Sequence, residues 1–148
     1  MSLTVANSAF TLTATSVGGV PIFPVPVPIE GYSADEAFDT TEVKPNEILM
    51  GIDGVLSGGY VAYPTPLMFT LQADSPSILV MDTAIEAMDG IFETIIFGAS
   101  IAVPGINKLY TFIKGFMTSG KKTPGGKKLL QPQKYEITFQ KCISSVIP

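Results

Sequence analysis

Apolar side chains recur at every second position in three separate stretches of this 148-residue chain. Residues 8–15, 67–73 and 135–140 each alternate between an apolar and a mostly polar side chain. A period of two puts the apolar side chains of a β-strand on one face, so each stretch predicts a half-buried strand. Residues 21–28 interleave four prolines with apolar residues, which predicts an extended edge or polyproline segment, because proline cannot donate to a strand ladder.

The middle of the chain contains a strong hairpin signal. A short apolar strand precedes Asp53 and Gly54, a pair typical of a tight turn in which both central residues take positive φ. Residues 55–63 return as the second strand. Within them, Gly58 and Gly59 predict a bulge or a close backbone contact.

Two longer runs rich in strand-forming residues follow. Residues 92–103 are too apolar for a strand with only one buried face. Residues 109–118 predict another strand, with Tyr110, Phe112 and Phe116 on one side. Strands are therefore the main predicted element of the chain.

The one convincing helix signal begins at Ser75, which can cap a helix, and at Pro76, which suits a first helical position. Four apolar side chains then recur three and four residues apart, namely Ile78, Met81, Ile85 and Met88. They predict a helix at about residues 75–89 with one apolar face. The predicted class is α+β, mainly β: a β-sandwich or barrel of two packed antiparallel sheets with one flanking helix. Neither a linker nor a repeat divides the sequence, so residues 1–148 are expected to form a single domain.

Charge is distributed unevenly along the chain. The net charge is −4, yet residues 1–107 contain twelve of the thirteen acidic residues and one lysine, whereas residues 108–148 contain eight lysines and one glutamate. The charge is concentrated in an acidic loop at about residues 30–47 and a basic loop at about residues 120–133. Such a chain can complement copies of itself, which favours head-to-tail association. Two solvated faces are the alternative.

These two loops supply the candidate functional residues, which we expect at contacts between copies of the chain. They are Asp35, Glu36, Asp39, Glu42, Glu47, Lys121, Lys122, Lys127 and Lys128. The acidic group could instead form a hydrolytic pair or a calcium site, but it lacks the calcium-loop ligand pattern. The basic group lacks the spacing of a phosphate loop, and the chain has no arginine, the usual reader of bases. No cofactor or metal is expected.

The composition gives little support for enzymatic chemistry. Histidine, the commonest general base and metal ligand, is absent from the sequence. The single cysteine, Cys142, cannot form an internal disulfide, and its apolar strand-like surroundings indicate a buried thiol. We therefore expect a protein that is not an enzyme and has no small-molecule substrate.

The chain is unusually apolar, with 46% hydrophobic and 15% charged residues and a mean hydropathy of +0.38. The apolar, uncharged run at residues 94–107 is interrupted by Gly98, Pro104 and Gly105 and is too short to span a membrane. The N-terminus lacks a basic residue before an apolar stretch, so no signal peptide is indicated and cytoplasmic assembly is expected. Some of the excess apolar surface is expected to meet other subunits.

The central third of the chain carries four short motifs in a definite order. YSADEAFDTTEV at residues 32–43 is acidic, and GIDG at residues 51–54 is the hairpin signal. FTL at residues 69–71 ends a strand, and SPS at residues 75–77 opens the helix. This order resembles the bacteriophage tail tube family, and a closing strand at residues 135–139 also fits the family.

The resemblance implies a β-sandwich or barrel flanked by a helix, hexameric rings, and an inner wall of strands joined across subunits. It also implies a channel, along which the charged candidate residues could lie instead of at contacts between subunits. It implies a structural virion protein whose stacked rings form the tail tube, the conduit for genome ejection, assembled in the host cytoplasm. Expected partners are other copies of the chain, sheath and baseplate or terminator proteins if the tail is contractile, and DNA that passes through the lumen without specific binding. Alternatives are a related ring former, such as a type VI secretion needle protein, tail terminator or baseplate hub, and a monomeric β-sandwich module that binds a ligand.

Overall fold

The computed structural model describes residues 8–16, 27–29 and 38–147. In chain order the elements are β1 (Ala9–Ser16), β2 (Val27–Ile29), β3 (Phe38–Thr40), β4 (Asn46–Met50), β5 (Leu56–Tyr60), β6 (Thr65–Leu71), α1 (Ile78–Ile91), β7 (Ile95–Val103), a 3-10 turn (Pro104–Ile106), β8 (Lys108–Ser119) and β9 (Gln133–Val146). Most of the predicted proline-rich segment, together with Asp35 and Glu36, lies outside the described residues.

Seven strands form one antiparallel sheet in the order β2-β1-β7-β8-β9-β6-β3, and β4 pairs with β5 in a separate two-stranded sheet. The large sheet curls into a half-barrel. In the described part of the chain, α1 is the one α-helix. The predicted class, mainly β with one helix, is confirmed. No helix in the described ranges is both long and apolar enough to cross a membrane.

The core lies on the concave face of the curled sheet. Phe10 on β1 contacts Phe69 on β6 with ring centroids 5.2 Å apart, although three strands separate β1 from β6 in the sheet. Phe69 also stacks on Tyr135 of β9 at 5.7 Å. Aromatic pairs of this kind add roughly 0.5–1.5 kcal/mol beyond the burial of their area. The alternation predicted for β1, β6 and β9 is confirmed, because their apolar residues are the buried ones.

The helix covers part of this core with the predicted face. Met81 is fully buried, and Ile78, Ile85 and Met88 pack against the core cluster. The predicted start is wrong by three residues, because the helix begins at Ile78 with Ser77 as its N-cap residue. Ser75 lies three residues before the helix, and its Oγ accepts a hydrogen bond from the Ser77 backbone N–H at 3.2 Å.

A bulge in β8 changes which side chains reach the core. Lys114 has φ of 50°, and the pairing of β7 with β8 shifts register at this point. The extra residue reverses the alternation, so Phe112 is buried whereas Phe116 lies on the opposite, exposed face. The prediction that Phe112 and Phe116 share one side is therefore wrong. Gly115 is required beside the bulge, because an added Cβ would overlap the ring of Phe139.

Candidate functional site

A five-residue loop, residues 51–55, connects β4 to β5. The Gly51 N–H donates to the Val55 carbonyl at 2.9 Å, and the Val55 N–H donates to Asp53 Oδ1 at 3.1 Å. The predicted hairpin is confirmed, but the predicted two-residue turn is wrong. Gly54 has a positive φ of 83°, whereas Asp53 does not, since its carboxylate closes the loop instead.

The two faces of this hairpin differ in character. Pairing is regular from Asn46↔Tyr60 to Met50↔Leu56, so the bulge predicted at the two glycines is wrong. Residues directly opposite each other share a face. The apolar face therefore carries four large side chains, namely Ile48, Met50, Leu56 and Tyr60. The other face carries Glu47, Leu49 and Ser57.

Every residue of the hairpin is exposed. Ile48 is 70% exposed, Met50 62%, Leu56 56% and Tyr60 73%. A lone two-stranded hairpin is marginally stable in water, and contiguous exposed apolar patches mark sites of interaction. This arrangement suits a surface that another molecule covers.

The described acidic candidates lie along the path from the large sheet to the hairpin. Asp39 is on β3, where its Oδ1 accepts a hydrogen bond from the Thr40 N–H at 2.8 Å. Glu42 lies in the following coil, and Glu47 lies on the more polar face of β4. All three side chains are exposed, so a partner can contact them without any change in the fold.

The four basic candidates lie in the loop between β8 and β9 and are exposed. They are Lys121, Lys122, Lys127 and Lys128. Lys122 Nζ lies 2.7 Å from Asp89 Oδ2 near the end of α1. This hydrogen bond, aided by the charge of Asp89, raises the pKa of Lys122 above its ordinary value. Sequence reasoning missed this contact, because periodicity does not indicate which loop lies beside the end of α1.

The acidic and basic candidate groups form no ion pair with each other among the described residues. Lys122–Asp89 is the one ion pair among the described residues, and Asp89 belongs to neither candidate group. The acidic candidates Asp39, Glu42 and Glu47 therefore have no lysine partner in the described part of the chain. They remain available to lysines of another copy.

The C-terminal end of β9 is a second exposed feature, and the sequence did not single it out. β6 pairs with β9 only as far as Phe139, whereas β9 continues to Val146 beside β8. Three lysines and three exposed apolar residues gather along these paired strand ends, namely Lys108, Lys114, Lys141, Ile113, Ile143 and Val146. The predicted strand ends at residue 140, six residues before the end of β9, and the strand-like run around Cys142 is the sequence signal that indicates the longer strand.

A groove of about 420 Å³ crosses β1, β7 and β8 on the face opposite the core. Its lining includes Thr11, Thr13, Ser100 and Thr111, with Lys114 as the charged residue among the lining side chains. Residues of β7 alternate between fully buried and half-buried, which explains why the sequence looked apolar on both faces. Hydroxyls of this kind can bind water and polar surfaces, but they offer no reactive group.

Two titratable groups in the core are held in their neutral forms. Burial raises the pKa of Tyr135 to about 12, with a smaller contribution from the charge of Asp82. Burial also raises the pKa of the half-buried Cys142 thiol. A raised thiol pKa leaves less of the reactive thiolate. Among the described residues, no group of three or more acidic residues or cysteines is arranged to hold a metal ion.

Comparison with known proteins gives one family match and several similar folds. The family described as "Tail fiber protein gp32" matches residues 2–143. No curated protein sequence matches the chain.

Solved structures of contractile injection systems contain similar folds. A chain of the extracellular PVC sheath-tube complex in its extended state is 13% identical, with a TM-score of 0.53 over 93% of this chain and 88% of that chain. A chain of the PVC sheath/tube terminator is 12% identical, with a TM-score of 0.50 over 99% and 98%. A chain of the anti-feeding prophage baseplate is 11% identical, with a TM-score of 0.50 over 99% of both.

Proposed function

This chain belongs to the tail fiber protein gp32 family, and on that premise we propose that it is the tube subunit of a phage tail. It is a structural protein rather than an enzyme, and its hexameric rings stack into a hollow conduit for the genome. The exposed apolar hairpin carries the proposal, because a permanent monomer would leave this surface in water. The fold shared with a chain of a sheath-tube complex supports a tube as the assembly.

The edges of the large sheet suit a closed ring. β2 covers β1 at Phe10, Thr11 and Leu12, and β3 covers β6 at Leu67, Met68 and Phe69, with one more backbone hydrogen bond from the Thr41 N–H to the Pro66 carbonyl at 3.3 Å. Beyond these contacts no further strand is described at either edge. Native proteins protect open sheet edges. Joining the edges of adjacent subunits would protect them and would make one continuous inner wall.

The same geometry indicates which face lines the bore. A sheet joined at both edges into a ring presents one face to the axis, and the core with α1 occupies the other face here. The hydroxyl-lined groove lies on the free face, as does Asp39 at the β3 edge. Each phosphate held by lysine adds affinity for DNA. The same face also carries Lys114 and Lys134, so we expect only weak contacts with DNA, separated by hydroxyls and carboxylates that do not hold it.

Stacking of rings is assigned to the hairpin and to the acidic segment that leads into it. We expect residues 30–47 to reach an adjacent ring, because the described part of this segment is largely exposed and carries carboxylates that form no ion pair with a described lysine. Deleting residues 35–42 would also remove β3, whose Phe38 packs against the core, so the test is replacement of the exposed Glu42 and Glu47 by glutamine. This variant should remain folded and polymerise less readily than the wild type, and unchanged polymerisation would contradict the assignment.

The proposal places the protein in the virion tail, assembled in the host cytoplasm. Its partners are further copies of itself and, in a contractile tail, the sheath and the terminator or baseplate proteins. Electron microscopy of the purified chain with light scattering tests it: sixfold rings or hollow tubes are expected. A particle that remains monomeric at high concentration would overturn the proposal.

A capping role is the second candidate. The terminator and baseplate chains match nearly the whole of this chain, at TM-scores of 0.50 that barely differ from the 0.53 of the sheath-tube chain. A terminator would form single rings that stop growth, whereas a tube subunit polymerises by itself. Adding the chain to preformed tubes distinguishes the two, because a cap binds only at an end and a tube subunit lengthens the tube.

A further inference from the structure

Among the described strands, one side of the C-terminal half of β9 has no partner. β6 pairs with β9 from Gln133 to Phe139, and residues 140–146 continue with β8 as their described partner. Within the described part of the chain, no strand lies on the other side of residues 140–146. A row of free backbone N–H and C=O groups is a template for one more strand.

β6 begins at the point on β9 where the free edge begins. Thr65, the first residue of β6, pairs with Phe139, the last β9 residue that β6 covers. A straight continuation of β6 backwards into residues 56–64 would run along the free edge. Pro64 has no N–H to donate, and β5 pairs with β4 instead. The vacancy therefore matches a strand such as β5 in position and direction.

β5 has features of a strand against which the backbone of another strand packs closely. It contains Gly58 and Gly59, yet a Cβ added to Gly59 would meet nothing within 4 Å, and one added to Gly58 would make only ordinary contacts at 3.8 Å. The fold of the single chain therefore does not require glycine at either position. Glycine inside a strand often marks a close approach by another backbone.

Charge and hydrophobicity also match between the two surfaces. Residues 39–53, which lead into and form the hairpin, contain four carboxylates and one lysine. Residues 108–114 and 140–147, at the free end of β8 and β9, contain three lysines and no acidic residue. Exposed apolar residues accompany the charges on both sides, such as Leu56 on the hairpin and Ile143 on β9.

We propose that β5 of one copy adds to the sheet of a second copy along residues 140–146, with the hairpin carboxylates facing the lysines of that end. The inference rests on the proposed function and names the surface that the hairpin binds. It assigns the binding surface to β8 and β9 instead of to the basic loop at residues 120–133. The hairpin thereby gains a third strand, which makes it stable within the assembly.

Disulfide trapping tests the contact directly. Both proteins carry Cys142→Ala. One also carries Ser57→Cys, and the other carries either Ser144→Cys or Ser145→Cys. Mixing the two proteins under oxidising conditions should give a covalent dimer of the two variants, because paired strands bring Cα atoms within disulfide range. Two adjacent β9 positions are used because their side chains point to opposite faces.

The control is Ser57→Cys mixed with Ser119→Cys, which lies at the other end of β8. Covalent dimers with position 119 alone would overturn the proposal. So would a disulfide that forms only within a doubly substituted chain, since the hairpin would then fold back onto its own β9.

Charge reversal gives an independent measurement. Glu47→Lys and Lys141→Glu should each raise the critical concentration for polymerisation by roughly fivefold, the upper range for an exposed ion pair. The double variant should return toward the wild-type value. Lys127→Glu in the basic loop is the matched control, and we expect it to give no rescue of Glu47→Lys.

The outcomes separate this inference from the proposed function. Wild-type protein that never forms rings or tubes refutes the function itself. Wild-type tubes without the expected disulfide, or rescue of Glu47→Lys by Lys127→Glu rather than by Lys141→Glu, refute only the pairing with β9. Tubes with both the disulfide and the Lys141 rescue support the two together.

Discussion

Replacing Ile48 and Met50 by serine should block assembly while leaving the folded subunit intact. Both side chains lie on the apolar face of the hairpin and are 70% and 62% exposed, so neither contributes to the core. Exposed substitutions usually change the free energy of unfolding by no more than about 0.5 kcal/mol. The thermal midpoint of the monomer should therefore stay close to that of the wild type.

The expected loss in assembly follows from the exposed area. Full burial of an Ile or Met side chain contributes about 1.5–3 kcal/mol, so burying the part that is still open contributes about 1–2 kcal/mol for each residue. The double variant should then lose about 2–4 kcal/mol at each hairpin contact. Because 1.4 kcal/mol corresponds to a factor of ten, the critical concentration should rise roughly 30- to 700-fold.

Sedimentation of polymer against total protein concentration measures this change. Leu79→Ser on the outer side of α1 is the matched control, since Leu79 is 72% exposed but lies outside the hairpin. Its critical concentration should stay within a few-fold of the wild type. A double hairpin variant that polymerises as readily as Leu79→Ser would refute the reasoning, and one that melts early would show that the hairpin supports the subunit fold.

Three further predictions concern the subunit itself. Gly115→Ala should lower the free energy of unfolding in urea by about 1–3 kcal/mol, because its Cβ enters the space of the Phe139 ring, whereas Gly59→Ala should stay near wild type. Ile85→Asp places a carboxylate against the core and should reduce soluble expression; a stable variant with unchanged melting would contradict the packing of α1. Burial raises the pKa of Tyr135 to about 12 from a usual value of 10.0, so its contribution to stability is present below pH 10 and is lost as pH rises toward 12. The chain has five tyrosines, so the measurement is the phenolate absorbance that Tyr135→Phe removes: it should titrate near pH 12, and loss of a step near pH 10 instead would contradict this burial.

Alternation in the sequence was sufficient to predict the core strands. The inward residues of β1, β6 and β9 all lie at the predicted positions, because a period of two leaves only one choice of buried face. The helix face was also predicted, since four apolar residues at helical spacing define one stripe. These features are set by residues that are close in sequence, so the sequence alone is enough to predict them.

Features that depend on a single backbone angle, or on a strand distant in sequence, could not be predicted from the sequence. The bulge at Lys114 reverses the face of Phe116, and nothing in the local pattern distinguishes this lysine from the others. The turn at Asp53 was assigned the wrong type, because an Asp side chain can close a loop as well as occupy a tight turn. The free edge of β9 depends on where β6 ends, and strand length is set by a partner distant in sequence.

The excess hydrophobicity of the chain has a specific location that composition could not reveal. Seventeen large apolar residues are exposed among the described ones, and nine of them lie between Val43 and Val61, in and beside the hairpin. A core-forming chain distributes such exposure singly over its surface, whereas a contact surface concentrates it. The mean hydropathy of +0.38 is thus explained in part by a segment that one copy leaves open and an assembly can close. Because this segment also carries carboxylates without lysine partners among the described residues, the contact with a second copy that we propose would cover its apolar side chains and pair its carboxylates together.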